Sequence, residues 1–535
     1  MSRRTLGANV VDVPLHDFSG GFTPRLAATE FTDRQWARLE GVVLESPAVL
    51  RSQWAVQRIG QEQGFKQAAS IGRRIVAIKD NGEVWTCLAP LSWQTHEDTK
   101  TSFPWEQITE IDARDSLQIL CQIPLPDEDA EGFTTGLLIN DLDADGSAYA
   151  VYLEVGSHDY QVKEWSDRFP GSDATEDVMP PAQVGAMWND FLVLGDILWF
   201  EDADEDLSPG NSKQYAHGLW FSEGDRVDKF EPLGVIFTMV SDRGGRNHSV
   251  LDLIAIDAGL LVITHVGLFL LRGTPDDFVF EPIRWGISSR ERRAAAYWPY
   301  TGSVVFVDNA GQVWQTNGEL FERADKHLHQ RRDAGDNDHV ETVGEHAIVE
   351  RHGRLFCFTA FDEDGAWTEL LAPGSTTKSM FSVGDQLYFL DDLGKMWRFN
   401  RRNDLYESEP SNGGFVEGEE APSERGLADG EPASIRVATR TLETGAGHSV
   451  TFWHRFGFKC SGPGKVGAVD VVAGAALADD KPRLRYELDA AADERERVVL
   501  RAHGPSNEAS AVVELEGDVQ LEQFAFWVHE GRGDR

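Results

Sequence analysis

The sequence predicts an all-β protein: a β-propeller of about six to seven blades followed by a C-terminal β-sandwich domain. Three observations lead to this fold class. A hairpin pattern ending in tryptophan recurs along the chain, paired apolar runs repeat at blade-like intervals, and no helical periodicity of comparable length is present. The chain has 535 residues, which is enough for a propeller and a second domain.

The recurrent hairpin consists of an apolar strand, a turn with Asp or Asn and then Gly, and a second strand that carries Trp. It occurs at residues 74–85, 303–314 and 386–397, and less regularly at 354–367. Asp and Asn bond to their own backbone, Gly supplies a positive φ, and the flanking β-branched and aromatic residues suit a half-buried pleated surface. Each copy is therefore predicted to be a strand, a turn and a strand.

Other hairpins lack the Asp-Gly turn but keep the paired apolar runs. They occur at residues 135–153, 190–200 and 259–271. From about residue 60 to 405 the chain contains roughly seven units of roughly 50 residues, a period typical of four-stranded blades. We therefore assign residues 61–403 to the propeller, because a sandwich over this span would need fewer hairpins.

The segments outside the propeller have different patterns. Residues 1–60 are predicted to contain the first strands and one short helix at 32–40 with a Thr or Asp cap. Residues 404–432 are acidic and rich in Gly, Pro and Ser, which indicates a linker or exposed loop. The final part, 433–535, is predicted to be a β-sandwich, with strands at 434–439, 450–456, 497–501 and 522–528.

The composition excludes some classes of function. The chain has 89 acidic and 50 basic side chains, a formal charge of −39, which argues against wrapping a nucleic acid through phosphate contacts but not against one passing nearby. No run approaches the roughly 20 apolar residues of a membrane span, and the N-terminus does not resemble a secretory signal. The four cysteines are widely spaced and are predicted to be reduced core residues: Cys87, Cys121, Cys357 and Cys460.

The regular turns partly resemble the Asp-box of sialidase-type propellers. Asp80, Asn309 and Asp392 each precede a Gly by two positions and a Trp by five, but the Ser before and the Thr after the box are missing. In those enzymes the box is itself a structural turn. We therefore interpret these residues as turn formers, since turn chemistry alone accounts for their types.

One acidic loop has the spacing of a cation site. Asp141, Asp143 and Asp145, followed by Gly146, match the first half of a calcium loop, in which alternate carboxylates converge on one ion. The twelfth position is Tyr152 instead of the bidentate Glu, and the following run resembles a strand. A solvated hairpin tip is favoured, and the three aspartates remain the candidate metal ligands. Asp362, Glu363 and Asp364 form a less complete pattern.

Histidines cluster in one stretch without completing a metal-binding motif: His327, His329, His339, His346 and His352. A structural zinc needs four ligands, and no carboxylate or Cys stands at a motif distance. The sequence also has no GxSxG, Walker or HExxH motif and no dinucleotide-binding glycine pattern. We predict neither catalytic residues nor a cofactor, and no enzyme, although carboxylates from distant blades can meet at a propeller mouth as an acid and a base.

Several segments resemble bacteriophage tail proteins. Near the N-terminus a Gly-Gly motif lies in residues 17–26, followed by 36–44 and a Leu-Arg pair in 48–51. Later pieces of the resemblance lie at residues 218–223, 268–278 and 285–290. The resemblance extends over about residues 15 to 400 and is to the nozzle or tail-hub propellers of short-tailed phages.

The resemblance implies a virion protein in the tail, assembled in the host cytoplasm. It implies a homo-oligomeric ring of about six copies at the distal tail, in contact with adaptor, fibre or needle proteins, through which the genome is ejected. DNA would pass transiently without specific binding, and an acidic channel wall would repel its phosphates.

Two alternatives lie outside that role. A carbohydrate-binding or glycoside-hydrolysing propeller for host receptor recognition predicts exposed aromatic residues and a carboxylate pair at one mouth of the propeller. A cellular scaffold propeller predicts repeats of uniform length, and the irregular insertions of this sequence count against it.

Overall fold

Every regular element in the described part of the chain is a β-strand, and no helix occurs there. The computed structural model describes residues 10–15, 36, 38–46, 48–53, 55–89, 105–127, 132–143, 145–154, 159–168, 177–200, 212–224, 226–237, 249–273, 277–289, 292–325, 338–351, 354–361, 364–372, 376–400, 435–439, 442–443, 451–462, 464–473, 483–491, 496–502, 508–516 and 519–530. The all-β prediction is confirmed.

Five short strands come first along the chain: β1 (Val10–Leu15), β2 (Arg38–Glu40), β3 (Val42–Ser46), β4 (Val49–Ser52) and β5 (Ala55–Arg58). Antiparallel four-stranded sheets follow. Blade 1 contains β6 (Phe65–Ile71), β7 (Arg74–Lys79), β8 (Val84–Leu88) and β9 (Glu106–Gln107). Blade 2 contains β10 (Leu117–Asp127), β11 (Gly132–Asp141), β12 (Ala148–Leu153) and β13 (Tyr160–Trp165). Blade 3 contains β14 (Ala182–Trp188), β15 (Phe191–Phe200), β16 (Ser212–Glu223) and β17 (Arg226–Phe237).

The next blades repeat this order. Blade 4 contains β18 (Val250–Ile256), β19 (Gly259–Thr264), β20 (Gly267–Arg272) and β21 (Val279–Trp285). Blade 5 contains β22 (Ala295–Trp298), β23 (Ser303–Val307), β24 (Val313–Thr316) and β25 (Phe321–Arg323). Blade 6 contains β26 (Val340–Val343), β27 (His346–Arg351), β28 (Arg354–Phe361) and β29 (Asp364–Leu370). Blade 7 contains β30 (Thr377–Val383), β31 (Gln386–Asp391) and β32 (Met396–Asn400).

The ring of blades closes through the N-terminal strand β5. This strand pairs antiparallel with β32 and becomes the outer strand of blade 7, so that both ends of the propeller are held in one sheet. The inner strands β6, β10, β14, β18, β22, β26 and β30 contact one another in sequence, and β30 returns to β6. The propeller prediction is confirmed, with seven blades.

The C-terminal strands form two sheets together with N-terminal ones. They are β33 (Ile435–Ala438), β34 (Leu442–Glu443), β35 (Thr451–Ser461), β36 (Lys465–Val472), β37 (Arg483–Ala491), β38 (Glu496–Arg501), β39 (Glu508–Glu516) and β40 (Gln520–Glu530). One sheet has the order β3-β4-β40-β35-β38, with β1 also on β40. The other has the order β2-β33-β39-β36-β37, with β34 also on β39. We call these two sheets the terminal unit.

The terminal unit and the propeller form one hydrogen-bonded body. Strand β2 pairs with β33 on one side and, in parallel, with β29 of blade 6 on the other, which creates one ten-stranded sheet. A single cluster of buried residues continues across this junction, from Trp298 and Phe389 in the propeller to Phe456 and Val513 in the terminal unit. Burial of each such large side chain contributes about 2 kcal/mol, so the junction is a core and not a hinge.

The short helix predicted at residues 32–40 is wrong at its end, because residues 38–40 form β2. Leu39 is fully buried between two partially buried neighbours, an alternation that suits a strand with one buried face. Its partners β29 and β33 lie more than 300 residues away, and such pairing overrides local helix propensity. The rest of the predicted helix, apart from Trp36, lies outside the described residues, as does the linker predicted at 404–432.

Candidate functional site

The turns between the second and third strands of the blades lie at one end of the propeller, which we call the turn face. The start of inner strand β6 pairs with the end of β7, so the β7–β8 turn lies beside the first residues of the inner strand. The same antiparallel order holds in the other blades. The turn face therefore contains the regular Asp-Gly turns, the Asp141 loop and a cavity on the propeller axis.

Two turns contain an aspartate whose carboxylate accepts three hydrogen bonds from the same turn, which we call a saturated carboxylate. In blade 5, Asp308 Oδ1 accepts the N–H groups of Ala310 and Gln312, each at 2.8 Å, and Oδ2 accepts the Trp314 indole N–H at 2.7 Å. In blade 7 the equivalent donors to Asp391 are Leu393 at 3.0 Å, Lys395 at 2.8 Å and Trp397 at 2.9 Å. The structural interpretation of these turns is confirmed. The aspartate responsible stands one position before the residue that the sequence pattern singled out.

The blade 1 turn has the same backbone and a different side chain at this position. Gly82, Gly311 and Gly394 have φ of 82°, 69° and 69°, and each donates its N–H to the carbonyl three residues earlier at 2.8–2.9 Å. Lys79 occupies the position of the two saturated aspartates. Its ammonium lies 4.0 Å from the centre of the Trp85 ring and 2.6 Å from a carboxylate oxygen of Glu62. A cation above the ring thus occupies the place of the aspartate, and the indole N–H donates to Glu83 at 3.1 Å instead.

The predicted cation loop is the tip of the β11–β12 hairpin. Asp141 is fully buried, and its Oδ1 accepts the Ser116 hydroxyl at 2.6 Å and the Asp143 N–H at 2.9 Å. The exposed Asp145 lies 3.2 Å from Arg114. A Cβ at Gly146 would lie 1.8 Å from Asp141 Oδ2, so the glycine is needed for this close approach. No group of three metal-binding side chains is present in the described residues, and these three aspartates do not converge.

A buried arginine, Arg168, donates hydrogen bonds to the backbone of this hairpin tip. Arg168 donates from Nε to the Met179 carbonyl and from Nη1 to the Gly146 carbonyl, at 2.8 and 2.7 Å. Its Nη2 contacts the Asn140 side chain and the Asp141 carbonyl. Burial lowers the pKa of Arg168 to about 10, while the nearby Asp141 opposes that shift. Asp141 and Arg168 are therefore framework residues, and the sequence pattern did not indicate the arginine.

The histidines of the predicted cluster separate in the fold. His346 is buried in blade 6, with Nδ1 2.9 Å from the Thr359 hydroxyl and 3.6 Å from the buried Cys357 sulfur. His339 lies before β26, and burial lowers its pKa to about 4, so its imidazole is neutral at physiological pH. His327, His329 and His352 lie outside the described residues, as do Asp362 and Glu363. The four cysteines are free thiols, three of them buried.

A cavity of about 330 Å³ lies on the turn face, around the propeller axis. We call it the axial pocket. Its charged and amide side chains come from the first residues of inner strands and the segments just before them: Lys66, Asp115, Gln118, Gln183, Asp252, Arg292 and Arg293. They belong to blades 1 to 5 and their connections, so ring closure is what brings them together.

Two glutamines join neighbouring blades beside the axial pocket. Gln67 Nε2 donates to the Ile119 carbonyl at 2.7 Å, and Gln67 Oε1 accepts the Ile119 N–H at 3.1 Å, which connects blades 1 and 2. Gln118 Nε2 donates to the Gln183 carbonyl at 3.0 Å and connects blades 2 and 3. These bonds fix the relative positions of the inner strands, so the pocket is rigid on this side.

An arginine crosses the propeller axis. Arg293, in the connection before β22, has φ of 67° and extends its Nη2 to the Ile119 carbonyl of blade 2 at 3.0 Å. Burial lowers its pKa to about 10, against the attraction of Asp252. Arg292 beside it pairs with Asp196, a buried residue with φ of 52° at a bulge in β15. The bulge directs this carboxylate to the arginine.

The remaining charges in the pocket are an aspartate and a lysine. Asp252 accepts the Leu253 N–H at 2.9 Å, and burial raises its pKa to about 6 despite the nearby Arg292 and Arg293. Although the Asp252 residue keeps some accessible surface towards the cavity, protein surrounds its carboxylate. Burial also lowers the pKa of Lys66, whose Nζ contacts the Asp115 carbonyl. Perturbed charges beside a cavity are typical of a binding site.

The opposite end of the propeller has a cavity of about 460 Å³ between blades 3, 4 and 5. Its lining includes Trp188, Asp257, Arg272 and Tyr297. Trp188 is only 6% exposed because it packs against Phe278, so its ring face is not available as a stacking platform. Among the described residues, Asp257 is the carboxylate that lines this cavity, whereas glycoside hydrolysis uses a pair.

Comparisons with known proteins find similarity in fold alone. No protein-family model matches the sequence, and neither does any curated protein. Similar solved structures include BamB from Moraxella catarrhalis, with 9% identity over 67% of this chain and 94% of that one at a TM-score of 0.35. YCF48 bound to D1 peptide has 11% identity over 67% and 96% at 0.37. A chain of the mitotic checkpoint complex has 12% identity over 67% and 98% at 0.35.

The described residues include no helix long and apolar enough to cross a membrane.

Proposed function

We propose that this protein is a structural, non-catalytic subunit of a phage or related viral tail, in which several copies form a ring at the distal end. The observation that carries the structural part of the proposal is the ten-stranded sheet through β2, which joins blade 6 to the terminal unit without a hinge. A rigid subunit suits a closed ring, because small angular errors would otherwise accumulate around it. The tail assignment is supported by the resemblance at residues 17–26, 36–44, 48–51, 218–223, 268–278 and 285–290.

In this proposal the genome passes through the hole between subunits. The propeller's own axis is an unsuitable path, because Arg293 of the blade 5 connection bonds to Ile119 of blade 2 across it. The formal charge of −39 supports a channel wall that repels DNA phosphates and so prevents the duplex from adhering. Adaptor, fibre or needle proteins are the expected neighbours, and the virion is the expected location.

The test is the oligomeric state of the purified full chain, together with its presence in virions. We expect light scattering after gel filtration to give a mass of several chains, and negative-stain images to show closed rings with a central hole. Mass spectrometry of gradient-purified particles from the source virus should find the protein at several copies per particle. A chain that stays monomeric at micromolar concentration and is missing from purified virions would contradict the proposal.

The carbohydrate alternative remains a prediction, and the same preparation tests it. Incubation with host surface polysaccharide should leave the chain length of the glycan unchanged if the protein is only structural. Release of shorter glycans would instead make it a glycosidase.

A further inference from the structure

We propose that the axial pocket binds a small organic anion, a carboxylate or a phosphate monoester, through direct contacts with Lys66 and Arg293. The site goes beyond the proposed ring function and does not depend on it. It rests on a partly open cavity, on two cations that donate to backbone carbonyls, and on an amide group that already has a fixed position.

The lining of the pocket has three cationic side chains and two carboxylates, Asp115 and Asp252. Arg292 is neutralised by Asp196. Lys66 and Arg293 instead donate to the backbone carbonyls of Asp115 and Ile119, which carry no net charge. Burial lowers the pKa of both cations, although Asp115, Asp80 and Asp141 lie near Lys66 and Asp252 lies near Arg293. A bound anion would accept charge-assisted hydrogen bonds from these two cations in addition to their bonds to the carbonyls.

The size and the rigidity of the pocket limit the ligand to a small molecule. About 330 Å³ lies at the lower end of the range for small-molecule sites. Gln118 is fixed by its bond to blade 3, and the Gln183 amide, which also lines the cavity, makes no side-chain hydrogen bond within the described part of the chain. Gln183 can donate to an anion that accepts hydrogen bonds, and the position already fixed at Gln118 lowers the ordering cost of binding.

Asp252 makes the site sensitive to pH. Its carboxylate lies beside Arg292 and Arg293 and lines the same cavity as Lys66 and Asp115, so in its ionised form it repels an anionic ligand. Protonation removes that repulsion and leaves the cations in place. Anion affinity should therefore increase as the pH falls through the titration of Asp252, provided that the anion itself stays ionised.

Calorimetric titration of the full chain tests the site, with citrate, succinate and inorganic phosphate as separate probes at low ionic strength and pH 7. We expect saturable binding of at least one probe, and Lys66→Gln should weaken it by about tenfold, the usual effect of one lost charged contact. Binding of citrate or succinate alone would identify a carboxylate ligand, and binding of phosphate alone would identify a phosphate ligand.

Lys378→Gln is the matched control. Lys66 and Lys378 are the bulged residues near the start of inner strands β6 and β30, on the same turn face, but only Lys66 lines the pocket. Lys378→Gln should change the affinity less than twofold. Failure of the wild-type protein to bind any probe at millimolar concentration would overturn the proposal, and so would equal weakening by the two variants, which would indicate general surface attraction.

Asp252→Asn gives a test in the opposite direction and does not depend on loss of function. Removing the competing carboxylate should tighten anion binding about threefold to tenfold at pH 7 and make the affinity less dependent on pH between 5 and 7 than in the wild-type protein. Weaker binding by this variant, with the fold intact by circular dichroism, would refute the proposed arrangement.

Discussion

Asp391 and Asp252 are two aspartates on the turn face whose surroundings lead to different roles. Asp391 accepts two backbone N–H groups and an indole N–H, so its acceptor sites are filled from within one turn. Asp252 accepts the Leu253 N–H and otherwise lies beside arginines and a cavity. Burial raises the pKa of both carboxyls, so the pKa direction alone does not distinguish them. The two aspartates differ instead in how many of their acceptor sites are filled by hydrogen bonds from the protein.

Replacement of Asp391 tests most directly whether its filled acceptor sites stabilise the fold. Replacement by Ala leaves the Trp397 N–H and two backbone N–H groups without an acceptor inside a buried turn, and we expect a loss of about 3 to 4 kcal/mol in the free energy of unfolding. Urea unfolding followed by tryptophan fluorescence measures it. Asp80→Ala, at an exposed carboxylate in the blade 1 turn, should cost less than about 0.5 kcal/mol. Similar costs for the two variants would mean that saturation of Asp391 contributes little.

The saturated turn is also fixed against the next blade, which Gly394→Ala would disturb. A Cβ at this position would lie 2.4 Å from the backbone N and O atoms of Phe65, and the residue has φ of 69°. We expect a loss of about 3 kcal/mol from clash and backbone strain together. Gly384 has a similar φ of 61° but open space around it, so Gly384→Ala should cost only the strain, about 1 kcal/mol. Equal thermal shifts would show that the contact with blade 1 is unimportant.

Removal of the Asp252 carboxylate should stabilise the protein, whereas removal of the Asp391 carboxylate should destabilise it. Because the folded pKa of Asp252 is about 6, above the value of an unfolded aspartate, the native state binds the proton more tightly and stability falls as the pH rises from about 4 to 6. Asp252→Asn should abolish this contribution and be more stable than wild type by about 2 kcal/mol above pH 6, less than the full shift implies because the cavity admits water. Urea unfolding at pH 4 and pH 7 measures the difference.

Glu341 provides the control for that experiment. Burial raises the pKa of this blade 6 carboxyl to about 7, and the residue does not line the axial pocket, so Glu341→Gln should also stabilise the protein at high pH without changing anion binding. An Asp252→Asn variant with an unchanged pH profile of stability would contradict the burial of its carboxylate.

The sequence indicated the turns better than the pocket, for a physical reason. A turn such as Asp308 to Trp314 is local, so its residue types reveal its chemistry even though the pattern placed the key aspartate one position late. Lys66 and Arg293 are separated by more than 200 residues, and only closure of the ring by β5 brings them to one cavity. The same long-range pairing placed β2 in a sheet where a helix was predicted.

The smallest expected effect concerns the two ways of holding a turn tryptophan. Trp397→Phe removes an N–H that occupies a buried carboxylate oxygen of Asp391, whereas Trp85→Phe removes one that lies 3.1 Å from the partially exposed Glu83 and keeps an aromatic face for Lys79. We expect the first substitution to cost about 1 kcal/mol more than the second, measured as the difference in unfolding free energy. An equal or larger cost at Trp85 would show that the Lys79 cation holds its turn as firmly as a saturated carboxylate. Lys79 in place of the aspartate would then be an equivalent solution and not a weaker turn.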